Sequence, residues 1–289
     1  MNSSVLSALH SSPGPDASMG TLLVDAGKLS VDDAERVLRT HEDLGIRYGE
    51  AALRLGLVSE DDIQQALARQ FAYPYLQKGQ ARLSPRLVAA YEPFSPQVEA
   101  LRAIRSQLVL RWFARGRRAL AIAGATADEG ASQFAANLAL VFSQLGEQTL
   151  LVDADLRTPR QHALFGLRPR QGLSDLLAGR ADLDAILRVP SFPDLSVLPA
   201  GTLPPNPQEL LARPAFRTLS AQLESRHDVV LYDLPPFTTG ADALAVAGRA
   251  GGVLLVARKH HTRIADMAHM AEQMLDAGAE VVGSVVMEF

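Results

Sequence analysis

The sequence predicts an α/β protein in which a mostly parallel sheet carries helices on both faces and follows a small helical domain. Three observations support this prediction. Short apolar runs alternate with helix-like stretches over the C-terminal two thirds, the pattern of a parallel sheet with crossover helices. A loop of small residues separates the first apolar run from the helix after it. Near the N-terminus, two similar blocks of 24 residues follow one another.

Six apolar runs are the predicted strands, because each is short, apolar and bounded by turn or polar residues. They are Leu120–Ala123, Thr149–Val152, Leu195–Leu198, Val229–Tyr232, Gly252–Ala257 and Val281–Met287. Helical periodicity predicts helices over 101–112, 132–144 and 262–277, and Gly146 is a suitable stop for the second of them.

The N-terminal part is predicted to be a helical repeat module. Blocks 18–41 and 47–70 match in their glycine and apolar positions. In each block a serine, Ser30 or Ser59, precedes acidic residues as a helix N-cap would. The predicted organisation is a disordered tail over 1–17, the helical module over 18–76, a linker over 77–98 and the α/β domain over 99–289.

Composition excludes several classes of function. The formal net charge of −4 gives no basic face for nucleic acid, so no nucleic-acid partner is expected. Without cysteine, the chain has no thiolate zinc site, disulfide or thiol nucleophile. The N-terminus does not resemble a signal peptide and no apolar run approaches a membrane span. We therefore expect a cytoplasmic protein, with any recruitment to the inner membrane made through a partner.

A phosphate-binding loop is predicted between the first strand and its helix, where backbone N–H groups and a helix N-terminus suit an anion. A complete loop has a lysine after its final glycine and then Ser or Thr for magnesium. Here Ser132 is present and the lysine is not. Taken alone, the segment fits a generic strand-to-helix turn equally well. The candidate nucleotide-binding residues are Asp128, Glu129, Gly130, Ala131, Ser132 and Gln133.

Acidic residues end two further strands. Asp153 and Asp155 follow the second run, and Asp233 follows the fourth. The carboxyl ends of parallel strands are where open sheets bind ligands, so these acids suit magnesium and proton transfer. A single strand-end Asp could instead cap the next helix, but this is a poor explanation for strand ends that all point to one edge. The predicted magnesium groups are Ser132, Asp153 and Asp233.

These elements together resemble a known family. The loop, Asp153-x-Asp155-x-Arg157 and Asp233 are similar to the Walker A, A′ and B elements of the bacterial tyrosine kinase (BY-kinase) family, relatives of the MinD/ParA ATPases. The segment 198–211 resembles the part of these kinases before their mid-domain helix. Glu99, Arg102 and Arg105 match the E-x-x-R-x-x-R motif of the family, although their spacing alone would fit a solvated helix face.

The likeness is greatest to the chain-length-determinant kinases of exopolysaccharide operons. Segments 47–56 and 70–76 resemble the N-terminal module of that group. The repeat module is also similar to the MshE-type domain that binds cyclic di-GMP in secretion ATPases. Its first block begins Ser18-Met-Gly20 rather than Arg-Leu-Gly and ends in His41 rather than Gln, which favours a plain docking module over a cyclic di-GMP site.

The resemblance implies a P-loop NTPase-like fold and ATP-dependent phosphotransfer to protein tyrosine. ATP or ADP with Mg²⁺ would be bound, and Asp153, Asp155 and Arg157 would be catalytic. Glu99, Arg102 and Arg105 would form the interface of an oligomer, made with copies of this chain or with a paralogue. The implied partner is a membrane-bound polysaccharide co-polymerase that determines chain length.

The sequence departs from the family at the loop and at its tyrosines. Ala131 stands where the family has Lys or Arg, and Asp128 stands where it has Gly. The missing cation would cost on the order of 3 kcal/mol of transition-state stabilisation, with Arg157 or Arg160 as candidate substitutes. A C-terminal tyrosine cluster is absent, since the tyrosines are Tyr48, Tyr73, Tyr75, Tyr91 and Tyr232.

Several hypotheses therefore stay open. An active kinase would use Tyr73 or Tyr75 as an acceptor near the linker, whereas Tyr232 lies in a strand and is predicted to be core. An inactive pseudokinase would be a scaffold beside an active paralogue. The alternatives from other classes are a MinD/ParA-like nucleotide switch and a non-catalytic scaffold that responds to cyclic di-GMP.

Overall fold

The computed structural model describes residues 18–70, 75–76, 81–127 and 129–288. The chain divides into two compact units between positions 74 and 75. Within these ranges, every helix is too short or too polar to span a membrane. The predicted tail over 1–17, the acceptor candidate Tyr73 and the loop residue Asp128 lie outside the described residues.

The first unit consists of two helix pairs, one from each sequence block. Its helices are α1 (Met19–Asp25), α2 (Val31–Leu44), α3 (Tyr48–Arg54) and α4 (Glu60–Gln70). The predicted caps are confirmed. Ser30 Oγ accepts a hydrogen bond from Asp33 N at 3.1 Å, and Ser59 Oγ accepts one from Asp62 N at 3.2 Å. The buried core of this unit contains Leu22, Leu23, Val37, Ala51, Ala52 and Ile63.

The second unit is built on one seven-stranded sheet with the order β3-β4-β2-β5-β1-β6-β7. The strands are β1 (Ala119–Gly124), β2 (Thr149–Asp153), β3 (Leu187–Val189), β4 (Phe192–Leu198), β5 (Val229–Asp233), β6 (Gly252–Arg258) and β7 (Glu280–Met287). All neighbours pair in parallel except β3, which is antiparallel to β4. The six predicted strands are confirmed. β3 was missed because its three residues are too few for a periodic signal.

Nine helices accompany this sheet within the described residues. They are α5 (Val88–Tyr91), α6 (Pro96–Arg111), α7 (Ala131–Ser143), α8 (Gln161–Leu164), α9 (Leu173–Leu177), α10 (Pro207–Leu211), α11 (Pro214–Arg226), α12 (Asp242–Ala250) and α13 (Ile264–Asp276). The three predicted helices correspond to α6, α7 and α13. The first of them begins earlier than its periodicity indicated, at Pro96, because Ser95 caps it through a hydrogen bond from Val98 N.

The helices cover both faces of the sheet, as predicted. Side chains alternate along each strand, so Leu120 and Ile122 of β1 pack in the cluster that contains Phe134 of α7. On the other face, Tyr232 of β5 packs with Phe216 of α11, and their rings meet edge to face at 6.0 Å. Tyr232 is fully buried, which confirms that it is a core residue.

Part of the predicted linker packs on the sheet unit. Helix α5 lies within it, and Ala89 is buried against α7. Asn137 Oδ1 accepts a hydrogen bond from Ala89 N at 3.0 Å, while Gln144 Nε2 donates to Ala89 O at 2.9 Å. These contacts hold the residues before α6 along the helix that starts at the phosphate-binding loop.

Candidate functional site

The three central strands β1, β2 and β5 end at one edge of the sheet. The register of β2 and β5 places Asp153 directly beside Asp233, and that of β1 and β5 places Ile122 beside Asp233. The loop after β1 therefore starts next to both acids. Since strands that run in parallel share their carboxyl edge, the sheet itself assembles the predicted loop and the predicted acids.

The loop turns into α7 at Gly130, whose φ of +77° lies in the left-handed region that favours glycine. Phe134 N donates to Gly130 O at 2.9 Å, which closes the first turn of the helix. Among the described residues, no side chain caps this helix N-terminus. Its first N–H groups are therefore free to bind an anion, which is a property that phosphate-binding loops share.

Glu129 is part of the internal structure of the loop. Its side chain is fully buried, and Oε2 accepts a hydrogen bond from Thr126 N at 3.1 Å. Oε1 accepts another from Thr262 Oγ1 at 2.6 Å, and that hydroxyl in turn accepts one from Arg258 N at 2.8 Å. Glu129 thus ties the loop to the turn between β6 and α13. Its predicted contact with nucleotide stays a prediction, and the sequence analysis missed Thr262.

The loop faces a cavity that contains most of the predicted nucleotide-binding residues. Gly130, Ala131, Ser132 and Gln133 line it, and Asp155 lines it from the end of β2. At Ala131 the wall presents only a methyl group where a complete loop would carry a lysine. Arginines enter this cavity from outside the loop, as described below.

The two strand-end acids are buried beneath the loop and share one partner, Gln161. Asp153 Oδ2 accepts hydrogen bonds from Arg160 N at 3.1 Å and Gln161 N at 2.9 Å. Gln161 Nε2 donates to Asp233 Oδ2 at 2.7 Å and to Ser132 O at 2.9 Å. Sequence analysis missed Gln161 because a single amide four residues after the Arg157 motif carries no recognisable spacing.

Burial changes the protonation chemistry of these acids. It raises the pKa of Asp233 above the usual range, against the lowering effects of the Gln161 amide and the nearby Ser132 hydroxyl. Burial also raises the pKa of Asp153, and the neighbouring carboxylate of Asp233 raises it further. Two acids in this environment resist being ionised together unless a cation compensates them.

The oxygens around these acids fit a magnesium ion. Asp153 Oδ1, Asp233 Oδ1 and Gln161 Oε1 are buried and have no hydrogen-bond partner among the described residues. Together with the Ser132 hydroxyl they form an all-oxygen donor set, which hard cations prefer. In the described ranges there is no cluster of three His, Cys, Asp or Glu side chains that could hold a metal. Magnesium needs only one or two carboxylates when phosphates and water complete its shell.

Asp155 and Arg157, both predicted to be catalytic, point to different places. Asp155 lines the cavity and accepts hydrogen bonds from Arg157 N at 3.0 Å and Thr158 N at 2.9 Å. The Arg157 guanidinium instead binds Asp242 of α12, with 2.7 Å between Nε and Oδ2. The structure therefore brings Asp155 to the loop and does not bring this guanidinium there. The catalytic assignment of Arg157 stays a prediction, and Asp242 was missed.

The predicted interface motif lies on α6 and makes contacts within its own chain. Arg102 donates to Glu99 Oε2 at 3.1 Å and to Pro93 O at 2.6 Å. Arg105 donates to Val141 O at 2.6 Å. The Glu99 side chain remains 72% exposed. These contacts order the helix, and its role in an oligomer stays a prediction.

Comparison with known sequences finds bacterial tyrosine-protein kinases among the relatives of this chain. No family model matches the chain. Tyrosine-protein kinase YwqD of Bacillus subtilis is 32% identical over 206 residues, which is 71% of this chain and 87% of YwqD. A Ralstonia solanacearum protein named as the tyrosine-protein kinase EpsB is 36% identical over 199 residues, or 69% of this chain. The chain spans only 26% of the length of EpsB.

The solved structures that are similar to this chain include a tyrosine kinase domain and a MinD protein. The kinase domain of the Escherichia coli tyrosine kinase ETK has a TM-score of 0.69 and 32% identity, covering 74% of this chain and 83% of that domain. MinD of Pyrococcus horikoshii, crystallised with Mg-ADP, has a TM-score of 0.52 at 24% identity, covering 59% of this chain and 70% of MinD. The second likeness shows a shared P-loop NTPase-like fold. The relatives and the ETK domain show that this chain belongs to the bacterial tyrosine kinase family.

Proposed function

We propose that this chain binds ATP or ADP with Mg²⁺ at the loop edge of the sheet and acts as a regulator of exopolysaccharide synthesis or export. One observation carries the nucleotide-binding part of the proposal. Among the described residues, one oxygen of each buried acid, Asp153 and Asp233, has no hydrogen-bond partner, and no side chain caps the nearby helix N-terminus. Such acids are costly to bury unless a cation binds them, and such an N-terminus favours an anion.

Different residues bind the phosphates and the magnesium ion. The N–H groups that follow Gly130 hold phosphate oxygens, since no side chain in the described part of the chain caps the start of α7. Ser132, Asp153 and Asp233 hold the magnesium ion, and Gln161 orients Asp233 through its amide. When bound, the ion supplies positive charge that neutralises the phosphates.

Asp155 is the group we assign as proton acceptor for an incoming hydroxyl. It lines the cavity, and Asp153 does not. Removal of one preorganised donor typically costs about 3 kcal/mol of transition-state stabilisation, which is a rate loss of 100-fold or more. With alanine at position 131, we expect nucleotide binding to persist while phosphotransfer to tyrosine is slow or lost.

The partners follow from the same family likeness. We propose that the chain assembles through α6 and its Glu99, Arg102 and Arg105 motif, with further copies or with an active paralogue. A membrane-bound polysaccharide co-polymerase would then bring the assembly to the inner membrane. A slow or inactive member of that assembly would regulate it through its own conformation, and that conformation would depend on the bound nucleotide.

The test is calorimetric titration of ATP and of ADP in the presence of magnesium. Wild type, Ala131→Lys and Asp233→Asn are compared, because the first substitution restores the loop cation and the second removes a magnesium group without changing its size. Binding by wild type that is lost in Asp233→Asn supports the proposal. Absence of binding by wild type, even after addition of excess magnesium, overturns it.

Phosphotransfer is measured separately from binding. Wild type and Ala131→Lys are incubated with labelled ATP and a tyrosine-containing peptide. We expect at least a 100-fold faster transfer by Ala131→Lys, in line with the cost of a missing donor. Equal rates for the two proteins would show that this chain phosphorylates tyrosine without a loop lysine.

A further inference from the structure

Two arginines outside the loop line the cavity that the loop faces. Arg86 reaches it from the segment before α5, and Arg160 reaches it from the turn before α8. Arg86 and Arg160 are both exposed. Two positively charged residues therefore line the cavity, although the loop itself offers only alanine at position 131.

The backbone of Arg86 is fixed to the helix that starts at the loop. Asn137 Nδ2 donates to Arg86 O at 3.1 Å, and Gln133 Nε2 donates to the same oxygen at 3.3 Å. Both donors lie on α7. Because Gln133 belongs to the first turn of α7, Arg86 keeps a constant position relative to the phosphate-binding N–H groups.

The backbone of Arg160 is fixed to the end of β2. Its N–H donates to the buried Asp153 Oδ2 at 3.1 Å. The positive charge of Arg160 also acts on Asp233, where it opposes the rise in pKa that burial causes. Arg160 thus stands beside the proposed magnesium groups, as a phosphate-binding cation should.

Both guanidinium groups are available for an anion. Within the described ranges, neither has a carboxylate within ion-pair distance, whereas Arg157 is committed to Asp242 at 2.7 Å. Asp155 is the one acid among the described residues that line the cavity. An arginine presents several N–H donors in a planar fork that matches two phosphate oxygens at once, so it can bind phosphate from the side of a loop.

We propose that Arg86 and Arg160 together bind the terminal phosphates of the nucleotide and supply for binding the positive charge that is missing at Ala131, without taking over the part of a loop lysine in phosphotransfer. This inference rests on the proposed function, since it assumes a nucleotide in the cavity. It also assigns a binding role to the segment before α5, which lies outside the strand-loop-helix unit. Nucleotide affinity would then depend on the packing of that segment on α7.

The test is a cycle of substitutions with ATP–Mg affinity as the readout. Arg86→Gln/Arg160→Gln removes both charges and keeps most of each side-chain stem. Arg188→Gln is the matched control, because Arg188 is an exposed arginine of β3 that does not line the cavity. Ala131→Lys is made in the wild-type and in the doubly substituted background. Thermal melting of every variant confirms that it is folded.

We expect the double substitution to weaken ATP–Mg binding by roughly tenfold or more, since hydrogen bonds to charged groups are lost, and Arg188→Gln to leave it unchanged. Ala131→Lys should improve affinity by a larger factor in the double variant than in wild type, because the lysine and the arginines serve the same phosphates. Arg86→Lys/Arg160→Lys should retain part of the affinity through its charges.

Two other results would overturn the inference in distinguishable ways. If wild type binds ATP–Mg and the folded double variant binds equally well, the arginines have no such role and the proposed nucleotide site stands. If wild type binds neither ATP nor ADP with magnesium, the proposed function fails and this inference fails with it.

Discussion

The guanidinium of Arg157 is paired with the carboxylate of Asp242, whose side chain is only 1% exposed. The pair joins the end of β2 to the first turn of α12, and Nη2 of Arg157 adds a second hydrogen bond at 3.3 Å. Its position suggests that Arg157 organises the site edge from outside the cavity.

Arg157→Ala should therefore reduce stability more than nucleotide binding. Removal of the arginine leaves a buried carboxylate without this partner, at a cost of about 1 kcal/mol because water reaches the arginine side. Chemical denaturation measures the free energy of unfolding, with Arg188→Ala as the control for loss of an exposed arginine. Unchanged stability together with lost ATP binding would instead support the catalytic role predicted from the sequence.

The buried Asp233 should make the metal-free protein less stable as pH rises. Burial raises its pKa from 3.8 to about 7, so the folded state keeps a proton that the unfolded chain releases. The resulting stabilisation is complete below about pH 4 and disappears as pH rises to about 7. In EDTA, the Tm of wild type should fall relative to that of Asp233→Asn over this range.

Magnesium should reverse the difference in Tm between wild type and Asp233→Asn. The ion competes with the proton for the carboxylate, so its binding strengthens as pH rises. We expect magnesium with ADP to raise the Tm of wild type near neutral pH and to leave Asp233→Asn unaffected. A wild-type Tm that rises with pH in EDTA, relative to the variant, would contradict the protonation of this acid.

The Glu129 contact with Thr262 should couple the loop to the turn after β6. We expect Glu129→Ala and Thr262→Val to lower stability individually and to combine less than additively, with a coupling energy of about 1 kcal/mol. The double-mutant cycle subtracts the separate bond that Thr262 makes to Arg258 N. Strict additivity would show that the 2.6 Å contact contributes nothing to folding.

Gly252 should not tolerate a side chain, because a Cβ there would lie 2.4 Å from the buried Trp112 ring. The indole cannot easily move, since Trp112 Nε1 donates to Ala119 O at 2.8 Å. Gly252→Ala should cost about 1–3 kcal/mol through overpacking. Gly283→Ala on neighbouring β7 is the matched control, because its Cβ would meet Leu254 at an ordinary 3.7 Å. Equal stability of the two variants would contradict this explanation.

Much of the fold could be read from local pattern. Six strands were found because buried parallel strands form short continuous apolar runs, and the caps at Ser30 and Ser59 were found because they obey a local rule. β3 was not predicted, because an edge strand of three residues is defined by its pairing with β4 rather than by its own sequence.

The candidate site was also predictable only in part. That Asp153, Asp155, Asp233 and Ser132 belong to one edge followed from their places after parallel strands. The orientation of each side chain did not follow. Glu129 turns inward to Thr262, and Gln161 joins a site for which its sequence position gave no signal.

The sequence by itself determined the fold class, the edge that carries the site and the absence of a lysine at position 131, because these depend on residue type and on order along the chain. Only the tertiary structure decided which charges reach the cavity. Arg157 pairs with Asp242, whereas Arg86 and Arg160 line the cavity. Long side chains choose partners among residues brought together by folding, and sequence spacing does not encode that choice.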